Sequence, residues 1–103
     1  MQEYVGKVVS MVTFSGDMIG RVESIEDGII KMYNPRLFVN TENGPILATS
    51  VSATAEEYPE YCYFSLNNIL TFCEANSKIK NIWRQMGIDG NDVVKPFKPT
   101  VVD

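Results

Sequence analysis

The sequence contains no histidine, the residue that most often moves protons in enzymes and binds transition metals. Catalytic pairs of serine or cysteine with histidine are therefore excluded. The glycine-rich motifs of nucleotide-binding proteins and the paired cysteines of zinc sites are missing as well. We therefore expect neither an enzyme nor a protein that carries a metal or another cofactor.

Cysteine is scarce, since the chain has only Cys62 and Cys73. Two cysteines do not make a disulfide framework, and their spacing is not that of a zinc site. Free cysteines are usually buried, and disulfides are rare in the cytosol. We expect two reduced, buried thiols in a cytoplasmic protein.

Long apolar runs are also missing, so no segment is expected to span a membrane. The first residues, "MQEYVGKVVSMV", lack the basic region and apolar block of a signal peptide. Basic residues are outnumbered by acidic ones, 9 to 13, which gives a net charge of -4. This balance disfavours general electrostatic capture of nucleic acid, so any RNA binding needs a local site.

What the sequence does contain, over most of its length, is period-two patterning. "KVVSMVTF", "MIGRVESI" and "IIKMYN" predict three strands, the third ending before Pro35. Gly20 lies inside the second strand, where a glycine permits a sharp bend or a close backbone approach. "RLFVNTENGPILATSV" predicts a hairpin of residues 37–39 against 46–51, with Asn43 and Gly44 in the turn. "YFSLNNILTF" predicts two last strands, 61–64 and 69–73, around a tight polar turn.

The period changes to that of a helix in "NSKIKNIWRQM". Its apolar side chains recur at helical spacing at Ile79, Ile82, Trp83 and Met86. Asn76 or Ser77 is the expected N-cap, and Gly87 the expected end. The remaining faces carry Lys78, Lys80 and Arg84, which form either a basic surface for nucleic acid or the solvated side of a helix packed on the core.

Two segments resemble the motifs of the Sm-like (LSm) family, which includes bacterial Hfq. "VVSMVTFSGDMIGRVESIEDGIIKMYN" is similar to the first motif and "YFSLNNILTF" to the second. The resemblance covers about residues 4–74. It implies a mainly β fold: a small, five-stranded, strongly bent Sm-like barrel over residues 1–75. A long hairpin at about residues 36–51 interrupts it between strands three and four, and a C-terminal α-helix with an extended tail follows over 76–103.

The resemblance also implies a homo-oligomeric ring, a hexamer or heptamer. In such rings the fourth strand of one subunit pairs with the fifth strand of its neighbour, so that every sheet edge is satisfied. The implied subunit interface consists of Tyr61, Cys62, Tyr63, Phe64, Ile69, Leu70, Thr71 and Phe72.

The RNA site that the resemblance implies lies in two turns, one after strand two and one between strands four and five. The implied candidates are Glu26, Asp27, Gly28, Phe64, Ser65, Asn67 and Asn68. The sequence departs from the family here, because Ser65 and Leu66 stand where Sm proteins carry Arg-Gly and Hfq carries Lys-His. Phe64 either stacks on a base or belongs to the core.

Two functions are consistent with this sequence. The first is a ring that binds single-stranded RNA, as an RNA chaperone does, through an atypical pore. The second is a ring that has lost RNA binding and acts as a scaffold or adaptor. The negative charge of each subunit favours the scaffold, whereas the resemblance favours RNA binding, which is the function that we expect.

Overall fold

The structure is a computed structural model that describes residues 1–86 and 100–101. The strands are β1 (Val8–Thr13), β2 (Gly16–Glu26), β3 (Ile29–Thr41), β4 (Gly44–Leu47), β5 (Tyr61–Ser65), β6 (Ile69–Glu74) and β7 (Thr100–Val101). Helix α1 spans Ser77–Gln85, and short 3-10 helices cover Gln2–Tyr4 and Leu66–Asn68. In these residues the fold is therefore mainly β with one α-helix after the main strands, as the sequence predicts.

All the strands belong to one antiparallel sheet with the order β6-β1-β2-β3-β4-β7, and β5 also pairs with β3. The first half of β3 pairs with β5, and its last residues pair with β4. The sheet does not close into a barrel, since no pairing joins β5 to β6 in the described part of the chain. Among the described residues the two strands therefore form free edges at opposite ends of the path β6-β1-β2-β3-β5.

The predicted bend is present where β2 passes β3. The register between these strands shifts between Ile19 and Arg21, and Asn34 on the facing strand has a φ of 47°. A Cβ atom on Gly20 would lie 2.5 Å from Met32 Cγ and 3.1 Å from the Tyr33 carbonyl oxygen. The close approach therefore requires glycine, which confirms the role predicted for Gly20.

The prediction that the third strand ends before Pro35 is wrong, because β3 continues to Thr41. Proline is tolerated inside a strand at a bulge, where the ladder of hydrogen bonds is already interrupted. The left-handed Asn34 makes that interruption. The predicted hairpin around Asn43 and Gly44 is confirmed, although its second strand ends at Leu47 instead of residue 51.

The sheet has a buried cluster on each side, because neighbouring residues of a strand face opposite ways. The helix-side cluster contains Val8, Ile19, Leu47, Ala75, Ile79, Ile82 and Trp83. The cluster on the other side contains Val9, Met11, Met18, Val22, Ile25, Ile30 and Met32. Each fully buried side chain of this size contributes roughly 1.5–3 kcal/mol.

Helix α1 begins where the sequence predicts. The Asn76 side chain accepts a hydrogen bond from the Ile79 N–H at 2.8 Å, which identifies Asn76 as the N-cap. The apolar stripe of the helix is buried and packs into the hydrophobic core. The predicted end at Gly87 and the predicted extended tail lie outside the described residues, apart from β7.

Candidate functional site

The two turns that were predicted to bind RNA lie side by side. Asp27 and Gly28 have φ values of 52° and 77°, as a tight two-residue hairpin turn requires. The Leu66 N–H donates to the Gly28 carbonyl oxygen at 2.9 Å, and Ile29 pairs with Ser65. Antiparallel pairing of β3 with β5 therefore brings the predicted site together.

The chemistry of these adjacent turns is polar and acidic. Glu26, Asp27, Asn67 and Asn68 are exposed, and residues 26–28 and 64–68 include no basic side chain. Phe64 is half-buried and packs against the cluster around Ile30 and Met32, which supports its interpretation as a core residue. The turns offer amides that can pair with a base edge but no cation for phosphate.

The predicted interface residues lie on the two edge strands. Tyr63 on β5 and Leu70 on β6 are 65% and 57% exposed, although both are large apolar side chains. Phe64, Ile69 and Phe72 point the other way and pack against the core. Both edge strands therefore combine a backbone edge that pairs with no other described strand and apolar side chains that face solvent.

Both cysteines are free, but the prediction that they are buried is wrong for Cys73. Cys73 lies on edge strand β6, where it pairs with Ser10, and it is exposed. Cys62 is half-buried, and this burial raises the pKa of its thiol.

The predicted basic surface on α1 divides into two parts. Lys78 lines a depression with Asp17 and Phe38, away from the other two basic residues of the helix. Lys80 and Arg84 instead line a cleft of about 290 Å³ beside the start of β1. We call this the basic cleft; its charged and aromatic lining is Lys7, Arg21, Glu74, Lys80, Trp83 and Arg84.

Four of the nine basic residues of the chain meet in the basic cleft. The Glu74 carboxylate contacts the Lys80 ammonium and lies 3.9 Å from the Lys7 ammonium. The hydrogen bond from Lys80 lowers the pKa of Glu74. Arg21 Nε lies 3.3 Å from a carboxylate oxygen of Glu23. Four cations against these two carboxylates leave a local excess of two positive charges in an acidic protein.

Aromatic side chains continue from the basic cleft along the helix side of the sheet. We call Tyr33, Tyr61 and Tyr63 the tyrosine strip. The Tyr33 and Tyr61 ring centroids are 5.5 Å apart, and the Tyr33 and Trp83 centroids are 6.4 Å apart. The strip therefore extends from the cleft to the free edge at β5.

Two cations lie against the tyrosine strip. The Arg21 guanidinium is 4.3 Å from the Tyr33 ring centroid, and the Lys31 ammonium is 4.3 Å from that of Tyr61 and 5.9 Å from that of Tyr63. Sequence reasoning missed this surface. The signal was the alternation of Lys31 with Tyr33 and of Tyr61 with Tyr63, which places each pair on one face of its strand.

No protein-family model matches the sequence, and a search of curated proteins gives no significant match.

In the described ranges no three acidic or cysteine side chains come together as a metal site would need. Residues 1–86 and 100–101 also contain no helix with the length and apolar character to cross a bilayer.

Proposed function

We propose that this chain is an Sm-like protein that assembles into a ring of six or seven identical subunits and binds single-stranded RNA. The observation that supports it best is the strand order β6-β1-β2-β3-β5. The two edge strands are consecutive in sequence, joined only by the 3-10 turn Leu66–Asn68. This is the arrangement that the resemblance of the two sequence motifs implies.

The free edges give a physical reason for assembly. An unpaired strand presents a row of N–H and C=O groups that another strand can pair with. Since β5 and β6 are at opposite ends of the same path, β5 of one copy can pair with β6 of the next. Such head-to-tail contacts form a ring when the rotation closes. The exposed Leu70 would then gain apolar contacts at the junction.

RNA binding is supported by the local chemistry of the outer surface and of the turns. The exposed amides of Asn67 and Asn68 offer both a donor and an acceptor to a base edge. The basic cleft supplies the positive charge that the turns lack. We further propose a cytoplasmic location, which the two free cysteines support.

A ring that serves as a scaffold without RNA is the second candidate. It is favoured by the exposed Glu26 and Asp27 in the turns that would face the pore and by the net charge of -4 per subunit. An assembly of such subunits would repel phosphate at long range. The absence of RNA binding by an intact ring would support this candidate.

Assembly is tested by light scattering on Leu70→Asp beside Phe14→Asp. Both positions are exposed in one subunit, but Leu70 lies on the free edge β6, whereas Phe14, 81% exposed, lies in the β1–β2 turn. A charge at Leu70 would be buried at the junction, so we expect that variant to be monomeric while Phe14→Asp keeps the ring. Equal masses for both variants would contradict the proposed interface.

A further inference from the structure

We propose that the basic cleft and the tyrosine strip together form one binding track for single-stranded nucleic acid. Phosphate groups occupy the cleft, and bases stack on the exposed tyrosines. The inference rests on the proposed function where the ligand is RNA. It moves the main binding site from the two polar turns to the helix side of the sheet.

Continuity of the surface is the first argument. Arg21 lines the basic cleft and lies against the Tyr33 ring, and Trp83 lines the same cleft and makes a T-shaped contact with Tyr33. Tyr33 is followed by Tyr61, and Lys31 lies against both Tyr61 and Tyr63. Cations and rings therefore form a continuous surface from helix α1 to strand β5, on which the Glu23 carboxylate lies beside Arg21 and accepts a hydrogen bond from the Tyr61 hydroxyl.

Charge complementarity is the second argument. The cleft gathers its excess of cations in a chain whose net charge is -4, so this excess is local. Glu74 occupies the space between Lys7 and Lys80, as an anionic group of a ligand could. The depression at Lys78 instead includes Asp17, which offsets the lysine charge. Phosphate is therefore favoured in the basic cleft.

The exposed rings identify the ligand as a nucleic acid strand rather than a free anion. Tyr63 is 65% exposed and Tyr61 36% exposed, so both rings have solvent-accessible surface for a base. Proteins that bind single strands combine a positive groove with aromatic side chains on which bases stack. Lysine and arginine at the rings add attraction for a phosphate between stacked bases.

The track is compatible with ring assembly. Pairing of β5 with a neighbour uses the backbone groups at the strand edge, whereas side chains stand perpendicular to the sheet. Tyr61 and Tyr63 lie on the same face as Lys31 and Tyr33, opposite the core cluster that includes Ile30 and Met32. The rings would therefore remain on an outer surface, repeated once per subunit.

The test measures binding of fluorescent oligouridine and oligodeoxythymidine by anisotropy over a range of salt concentrations. Lys80→Gln is compared with Lys78→Gln, which makes the same change on the same helix outside the cleft. Tyr63→Ala is compared with Phe14→Ala, an exposed aromatic side chain in the β1–β2 turn. Asn67→Ala tests the turns, and circular dichroism checks that each variant is folded.

We expect Lys80→Gln and Tyr63→Ala each to weaken binding by about fivefold or more, and both controls to change it by less than about twofold. The slope of log affinity against log salt should fall by about 0.7 in Lys80→Gln, since one phosphate contact is lost. Trp83 is the only tryptophan in the chain, and it lines the cleft. Its fluorescence should therefore change on binding in the wild type and less in Lys80→Gln.

Binding that is lost in Asn67→Ala but unchanged in Lys80→Gln and Tyr63→Ala would overturn the track and leave RNA binding at the pore standing. Binding of the DNA oligomer but not of the RNA oligomer, with the expected variant pattern, would support the track and refute the proposed RNA function. If neither oligomer binds at tens of micromolar protein, the track is overturned, and the mass of the assembly then decides between a scaffold ring and a monomer.

Discussion

The indole N–H of Trp83 donates a hydrogen bond to the backbone carbonyl oxygen of Asn34 at 2.9 Å. The donor belongs to helix α1, and the acceptor belongs to the left-handed residue at the bulge of β3. Trp83 is 2% exposed, so this bond is shielded from water. It fixes the helix against the bend and thereby positions Lys80 and Arg84 beside Lys7 and Arg21 in the basic cleft.

Trp83→Phe should therefore lower the stability of the fold and loosen the position of helix α1 at the basic cleft. The substitution removes the hydrogen bond and leaves a smaller ring in a buried site, so we expect a loss of about 2–3 kcal/mol in the free energy of unfolding. Urea denaturation followed by circular dichroism measures this loss. A change below about 0.5 kcal/mol would show that neither the Trp83 hydrogen bond nor the size of the ring contributes to stability.

Arg36 is fully buried, with a relative exposure of 0%. Its Nη1 donates to the carbonyl oxygens of Pro35 at 2.7 Å and Pro59 at 3.4 Å, while Nε and Nη2 have no hydrogen-bond partner within the described residues. Burial lowers the pKa of Arg36 to about 10. A buried cation without a carboxylate costs stability, so Arg36→Met should be neutral or stabilising by about 1–2 kcal/mol. A clear loss in urea denaturation would show that the two carbonyl contacts outweigh the burial of charge.

The same residue predicts a pH dependence. Because the folded-state pKa of Arg36 lies below the unfolded-state value, its stability cost is present in full below about pH 10. As pH rises through 10, the folded protein releases the proton before the unfolded chain does, and the cost declines. The stability difference between Arg36→Met and the wild type should therefore narrow from pH 9 to pH 11. A constant difference would contradict the lowered pKa.

Glu74 is expected to compete with nucleic acid for the lysines of the basic cleft. Its carboxylate contacts Lys80 and Lys7, so Glu74→Gln should release both cations and strengthen oligouridine binding by about threefold or more. Glu57→Gln, at an exposed glutamate beside Ser52 and Ala55, makes the same charge change elsewhere. Anisotropy titrations of the two variants should differ, and equal effects would indicate a response to net charge alone.

The two thiols should react at different rates. Cys73 is exposed, whereas burial both shields Cys62 and raises the pKa of its thiol, which lowers the fraction of reactive thiolate. A disulfide reagent should therefore modify Cys73 first, with Cys62→Ser and Cys73→Ser variants to assign the two phases. Faster reaction of Cys62 would contradict the burial of this side chain on β5.

Sequence patterns correctly predict the features that depend on a single helix or turn. The helical spacing and the Asn76 cap located α1, and the Asn43–Gly44 pair located the turn of the hairpin. They failed at Pro35, because the bulge that admits proline depends on the facing Gly20 and on the left-handed Asn34. Such a feature belongs to two strands at once and is not visible in either alone.

In the candidate site, too, some features can be predicted from the sequence and others depend on how separate elements pack. Antiparallel pairing of β3 with β5 brings the two predicted turns together. The basic cleft could not be read from the sequence, since Lys7 and Arg21 meet Lys80 and Arg84 only when α1 packs beside β1 and β2. Charges on three separate elements carry no common spacing.

Native mass spectrometry of the wild-type protein at micromolar concentration, with and without oligouridine, tests the central claim most directly. The Sm-like account predicts a single assembly with six or seven times the mass of the 11.6 kDa chain, and a further species with bound RNA. A monomer at every concentration, with or without the oligomer, would contradict it.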